Sequence, residues 1–500
     1  MVSSATPATV RVAFDSTAGR DVLEAARRAA AASDAPVDVR PVGSPGTVHL
    51  PLLAATRDGR TALRRSVDPN ATAAFVSVLG DGEFPPDGTE TTVEHEDDPA
   101  DFPVGTGPLA AGVRRTLRGA GWADPTAVDV PAVDGDAALD RLSSLGLRGR
   151  GWGDARRDEP VVEGWRTARD ADGDAVVVVN ALDADPKADG DRLLVGSLAG
   201  RVLAGAALAA RAVGADAVVV ALPEEAPVSA DRVRGAGDAL ADAGGPTVSI
   251  AVADATYMTG EPTALLESLE GTDRVEARRR PPGPEAWGLF ERPTLVHTPR
   301  TLAAVERAVR SPEDADLDAD AADPGTRLVT VVGPDRRTVE LPTDASLSRA
   351  LSADEPTAFA CVGGQFGGLT RELDTPVSSP ALRGSGLGTN GSIEAFDDGP
   401  GGSCPVVVAG RRTRVARAEN CGRCVPCRTG SVRAHELLRE VYGGSFDATR
   451  LRELARTMAN TSLCGFGRDA ARPLATALGE FETDLRAHAD GRCPAGVCDL

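Results

Sequence analysis

Between about residues 146 and 309, short apolar runs alternate with longer helical stripes: 175–179, then 193–213, then 217–221. Strand, helix and strand in that succession predict a mostly parallel sheet covered by helices. Residues 327–341 alternate apolar and polar side chains around a Gly-Pro-Asp turn, the mark of a hairpin. Nearer the C-terminus the period becomes helical. Leu451, Leu454 and Met458 recur at i, i+3, i+7 behind Asp447, a candidate N-cap, and Leu474, Leu478, Phe481 and Leu485 repeat the stripe. Residues 9–78 read strand, helix, strand, with an alanine-rich helix after Asp21. The Asp/Ala-rich stretch 311–325 predicts a solvated linker.

The longest apolar segment, 196–222, is interrupted by Arg201, Arg211 and Asp216, so direct membrane insertion is not expected. The opening MVSSATPATVRV lacks the charged and apolar regions of a secretory signal, which makes the cytoplasm the expected compartment. The 500 residues carry 54 Lys+Arg against 74 Asp+Glu, a net charge of -20, which argues against nucleic acid as a partner. The acidity is spread along the chain and Lys187 is the single lysine, a surface suited to high salt and to a halophilic, haloarchaeal type of source.

All eight cysteines lie beyond residue 360. Clustering of this kind in a long chain without a secretory signal points to metal rather than disulfides. Cys421, Cys424 and Cys427 form C-x2-C-x2-C, and Cys464 follows downstream. Three closely spaced thiolates plus a distant fourth suit a [4Fe–4S] cluster; zinc, which also takes four thiolates, usually meets two C-x2-C pairs. The glycines of 462–467 (SLCGFG), between two helical stripes, would let backbone approach a cluster closely. His488, Cys493 and Cys498 fall within eleven residues near the C-terminus, a second candidate group of metal-ligating side chains. Cys361, alone in an apolar run, reads as a small buried hydrophobe.

The run ENCGRCVPCRTG (419–430) followed by SLCGFG closely resembles the cluster domain of the NADH-binding flavoprotein subunit of respiratory complex I. The same module occurs in diaphorase subunits of NAD-linked and bifurcating hydrogenases and formate dehydrogenases. Residues 257–271 (YMTGEPTALLESLEG) resemble that family's Y-x-x-G-E-E-T-A-L-L-E-S-L-E-G, and GLRGRG (146–151) resembles the start of its glycine-rich loop. The CPAGVC ending resembles the hydrogenase branch, where Cys404 would match a further cysteine and, with His488, Cys493 and Cys498, complete a candidate zinc set of one imidazole and three thiolates.

The resemblance implies a [4Fe–4S] cluster on Cys421, Cys424, Cys427 and Cys464. It also implies FMN contacts at Gly149, Arg150, Gly151, Asn180, Asp183, Asp185, Tyr257, Gly260, Glu261 and Thr263. Several positions depart from the family pattern. After Gly151 the loop reads Trp152-Gly-Asp-Ala-Arg-Arg-Asp, without the family's phenylalanine and lysine; Pro262 replaces a glutamate; and the family's V-N-N reads Val296-His297-Thr298. The implied fold is multidomain α/β. A degenerate thioredoxin-like domain without cluster cysteines spans 1–110, and a Rossmann-like FMN/NADH-type α/β domain spans 111–325. An SLBB-like β-grasp domain at 326–403 and a helical 4Fe-4S bundle at 404–500 follow.

The implied function is an electron-transfer flavoprotein/iron–sulfur subunit of an NADH dehydrogenase-like complex, passing electrons from NADH through FMN to the cluster and on to a redox partner subunit carrying further centres. The alternative is a non-enzymatic 4Fe-4S or zinc module that has lost NADH and FMN. The altered loop favours the module, and 257–271 favours the enzyme subunit.

Overall fold

The computed structural model describes residues 7–84, 91–95, 99–104, 109–314, 317–352, 357–397 and 402–498. Three sheets and a C-terminal set of helices make up the molecule. The first sheet holds β1 (Ala8–Ala13), β2 (Val37–Val42), β3 (Leu52–Arg57), β4 (Arg60–Arg64) and β5 (Thr91–Glu94) in the order β2-β1-β3-β4-β5. Only β1 and β2 run parallel. Period-two burial of Ala8, Val10 and Val12 meets the apolar stripe of helix Thr17–Ala31, as the thioredoxin-like expectation requires.

The second sheet is wholly parallel: β6 (Val176–Asn180), β7 (Ala217–Leu222), β8 (Thr247–Val252) and β9 (Thr294–His297) lie in the order β8-β7-β6-β9. Helices cover both faces, so the valines of β6 are all buried and the strand reads as an unbroken apolar run. Helix Ala199–Val213 buries nearly every side because it lies under its neighbours, and helix Pro299–Arg310 packs closely beside Gly205. Among the described residues no single helix is long and apolar enough to cross a membrane. The pair Gly190–Ser197 and Ala199–Val213 passes by composition only jointly, across a 100° bend, and it belongs to the α/β core.

The third sheet comprises β10 (Thr326–Val332), β11 (Arg337–Pro342), β12 (Phe359–Val362), β13 (Gly368–Thr370) and β14 (Ser392–Phe396), ordered β11-β10-β14-β12-β13. Its central first and last strands are parallel, as in a β-grasp sheet, and the β10–β11 pair is the hairpin read from the sequence. Cys361 is buried in β12, and burial pushes its thiol up.

Three expectations need correction. The linker is not solvated throughout: Asp323 is fully buried, 3.0 Å from Arg150 and 2.9 Å from Arg327, because two guanidiniums entering the interior require a counter-charge. Residues 465–467 are not loop but the first turn of helix Gly465–Ala470. The stripe ending at Leu485 is also divided, at Phe481, into helices Arg472–Glu480 and Glu482–Ala489, both still facing the core.

Candidate functional site

Cys424 is the N-cap of helix Val425–Tyr442, with Pro426 in its first turn, and Cys427 follows within that turn. Cys464 caps helix Gly465–Ala470, where the backbone N–H groups of Phe466 and Gly467 point at its sulfur. Free N–H groups at a helix start favour negative charge, which is what a ligating thiolate carries. A Cβ on Gly467 would stand 2.8 Å from the Cys427 Cβ, so the two cysteine segments touch there. The four thiols interact with one another, and burial pushes Cys427 and Cys464 up, the latter to about 12. Such thiols ionise when a metal replaces the proton. Arg274 donates to the Cys421 carbonyl at 3.0 Å and Arg423 to that of Ala277 at 2.8 Å, tying the triad to the α/β domain.

The second set also assembles. Cys404, His488, Cys493 and Cys498 bring their ligand atoms within 4.8 Å of one another. Tetrahedral zinc, with bonds of about 2.0–2.3 Å, holds ligand atoms about 3.3–3.8 Å apart, so a small contraction completes the site. His488 Nδ1 donates to the Asp484 carbonyl at 2.7 Å, which leaves the Nε2 lone pair facing Cys404 Sγ at 3.4 Å. That is the tautomer a metal needs. Burial opposes ionisation of Cys493, but N–H groups of Val497 and Cys498 outweigh it and bring the thiol down to about 6.

At the C-terminal edge of the parallel sheet, the 149–158 loop folds over the ends of β6 and β9. Asn180, the last residue of β6, donates to the carbonyls of Gly153 and Gly260, each at 3.1 Å. Trp152 is buried, its ring stacked on Tyr257 at 4.5 Å and 14° and its Nε1 donating to the Tyr257 carbonyl at 2.8 Å. The indole's other edge reaches Gly465, next to Cys464: a Cβ there would lie 3.1 Å from it. Tyr257 is hemmed in by Phe366 and Phe466, and its buried hydroxyl has no hydrogen-bond partner.

Beside the indole, the buried Asp154 carboxylate accepts from His297 Nδ1 at 3.0 Å, Thr298 N at 3.2 Å and Thr301 Oγ1 at 2.6 Å, at the N-terminus of helix Pro299–Arg310. Trp165 Nε1 donates to His297 Nε2 at 2.9 Å, so the proton of this imidazole is on Nδ1, aimed at Asp154. Arg300 pairs with Asp191 at 2.6 Å.

The remaining residues singled out in the sequence are distributed among other tasks. Arg150 turns away to Asp323, although its backbone N–H donates to Thr301 at 2.8 Å. Gly149 and Gly151 pass over Asp154 and Arg300, each so closely that a side chain would collide. Asp183 lines the cavity, its carboxyl pushed well up by burial and by Asp189 and Asp191. Asp185 lines the same cavity and also accepts from Gln365 N at 3.0 Å and Asn390 at 3.1 Å, joining the β-grasp sheet. Glu261 caps helix Pro262–Leu269 through Thr263 N and Ala264 N. Asp154, His297 and Arg300 were not foreseen in these roles; the signal available was the loop's departure at Trp152.

Residues 143–307 match the Nuo51 FMN-binding domain, and residues 407–488 match the NADH-ubiquinone oxidoreductase-F iron-sulfur binding region. In these two regions the chain is similar to complex I flavoprotein and hydrogenase diaphorase subunits. It is 27% identical over 429 residues to the NADP-reducing hydrogenase subunit HndC of Solidesulfovibrio fructosivorans, covering 77% of this chain and 86% of that one. It is 30% identical over 268 residues to a subunit of the NADH-quinone oxidoreductase of Streptomyces coelicolor, covering half of this chain and 58% of that relative. The fold is similar to a chain of the NAD+-reducing [NiFe]-hydrogenase in the air-oxidized state, with a TM-score of 0.64, 26% identity, and coverage of 96% of this chain and 85% of that one.

These relationships support an electron-transfer flavoprotein/iron–sulfur type of subunit over an isolated metal module, and the regions matched are those that bind FMN and a 4Fe-4S cluster in such proteins. Cys424, Cys427 and Cys464 at two helix starts, with Cys421 in the loop just before, offer the four thiolates a cluster takes. The flavin domain, in the conformation described, does not fit FMN. The cavity among Trp152, Asn180, Asp183 and Gly260 measures about 10 Å³. That is the space of about one water, against the roughly 300–1,000 Å³ of cofactor pockets.

Proposed function

We propose that this chain is the cluster-bearing subunit of an NADH dehydrogenase-like complex, in which Cys421, Cys424, Cys427 and Cys464 hold the cluster and a partner subunit carries further redox centres. The convergence of the C-x2-C-x2-C triad with Cys464 across two helix starts carries the reading. A [4Fe–4S] group supplies one-electron transfer when bound, its potential set by hydrogen bonds to sulfur and by burial. This chain's residues supply both: the N–H groups of Phe466 and Gly467 at Cys464, and the apolar wall of Trp152, Phe466 and Met458. NADH as electron source, the cytoplasm as location and the boundaries 1–110, 111–325, 326–403 and 404–500 belong to the same proposal. It is supported by the hydrogenase and quinone-oxidoreductase relatives.

We propose zinc for Cys404, His488, Cys493 and Cys498, with the role of fastening the C-terminal tail to helices Pro405–Glu419 and Glu482–Ala489. Metal content tests both sites. Purified anaerobically at high salt, the chain is expected to hold four irons and one zinc. Cys464→Ser is expected to lose the dithionite-reducible electron paramagnetic resonance signal and most of its iron while keeping zinc; Cys361→Ser changes neither. Retention of the full signal in Cys464→Ser would remove this cysteine from the cluster.

A further inference from the structure

The flavin domain of this chain is filled from within. Trp152 stands where the glycine-rich loop crosses the C-terminal edge of the sheet, the place at which an open α/β sheet binds its ligand. The flat indole is stacked on Tyr257 on one face, and its far edge abuts Gly465 beside Cys464. Any aromatic cofactor delivering electrons to the cluster from this domain needs that slot. Gly260 shows how closely the indole fits, since a Cβ there would lie 2.9 Å from Trp152 Cδ1.

A second observation concerns charge. The start of helix Pro299–Arg310 offers the Thr298 N–H, the Thr301 hydroxyl and the His297 Nδ1–H, a donor set suited to a phosphate. All three are taken by Asp154, two residues from Trp152. A phosphate and this carboxylate cannot share them, because like charges at contact distance repel. Arg300, the nearest buried cation, is paired with Asp191.

We propose that Trp152 and Asp154 are an internal occupant of the flavin site, the indole in the ring slot and the carboxylate on the phosphate donors, so that FMN enters only when the 152–158 loop withdraws. The inference rests on the family reading above, which names FMN as the ligand of this domain. It adds that this chain holds its own site closed. A site that is open about one time in ten binds about tenfold more weakly than its intrinsic affinity.

The test uses the full chain with its iron, titrated separately with FMN and with riboflavin, which lacks the phosphate, and read by quenching of flavin fluorescence. The wild type is expected to emerge from purification with iron but far less than one flavin per chain. Trp152→Gly is expected to bind both FMN and riboflavin about tenfold or more tightly than the wild type. Asp154→Asn, close in shape to the native residue, is expected to strengthen FMN binding and leave riboflavin unchanged. A wild type that retains one FMN per chain overturns the proposal. So does unchanged affinity for both ligands in both variants with iron intact. If Trp152→Gly fails to hold iron, the FMN-to-riboflavin contrast in Asp154→Asn decides. Iron content and the reduced-cluster signal report on the electron-transfer reading independently of flavin, so the two can fail separately.

Discussion

Asp323 shows how one side chain binds three parts of the molecule. Its carboxylate meets Arg150 of the glycine-rich loop and Arg327 of β10, and accepts from Ser379 N at 2.8 Å. Burial opposes its charge, but Arg327 and Arg150 outweigh burial and hold the carboxyl below the usual carboxylate range. A depressed folded value means that its stabilisation is complete above the ordinary carboxylate pKa and is lost as the pH falls below it. Asp323→Asn, which strands the buried Arg150 guanidinium and leaves Arg327 only Asp158 at 3.3 Å, is expected to cost about 3–5 kcal/mol at pH 7 in denaturant melts and to flatten acid unfolding below about pH 4. Gly260 makes a different demand, for space. Gly260→Ala places a Cβ 2.5 Å from Ala184 Cβ and against the indole. It is expected to lower stability by about 1–3 kcal/mol, and Trp152→Ala in the same chain should recover part of that loss. Sequence marked Gly260 through its motif, but the partners that crowd a side chain there, Ala184 and Trp152, lie far back along the chain.

The C-terminal helices place candidate ligands at their starts: Cys404, Cys424 and Cys464 are each an N-cap residue. The periodic stripe at Leu451, Leu454 and Met458 and the Asp447 cap were legible, and the structure shows Asp447 accepting from Arg450 N at 3.0 Å. The break at Phe481 was not legible, since the apolar repeat continues through it. The tail after His488 has little regular structure, and its place depends on the four ligands. Cys498→Ser is therefore expected to release zinc and expose residues 491–498 to protease, with the four irons retained. Loss of iron together with zinc would mean that the two sites fold as one.

Across the whole molecule, the net charge of -20 sets the response to salt. Exposed pairs such as Arg20–Asp231 contribute at most about 1 kcal/mol each and weaken on screening. The dispersed excess of carboxylates repels at every separation within a Debye length, which shrinks from about 10 Å at 0.1 M to about 3 Å at 1 M. The second effect acts over the entire surface, so the melting temperature is expected to rise as KCl goes from 0.1 M to 1 M or above. A flat or falling melting temperature would show that the ion pairs dominate. The domains are also joined by charge: Arg157 links the glycine-rich loop to Asp469 at 2.8 Å and to Asn390 at 3.1 Å, bringing α/β, β-grasp and helical regions to one point beside Trp152.

Local pattern was enough to specify most of the elements and to nominate candidate ligands. Valine runs specify a doubly covered strand, and period-3.6 stripes specify helices that need a core. Cysteine spacing specifies thiolates able to converge, because these are local properties of the backbone and of side-chain type. The meeting of Asp323 with two distant arginines came only from the packed chain. So did the placing of Trp152 in the slot beside the cluster and of Asp154 on the helix donors. Those outcomes depend on which distant surfaces close on one another, and a single packed interior leaves room for one occupant where the chain's pattern would have admitted several.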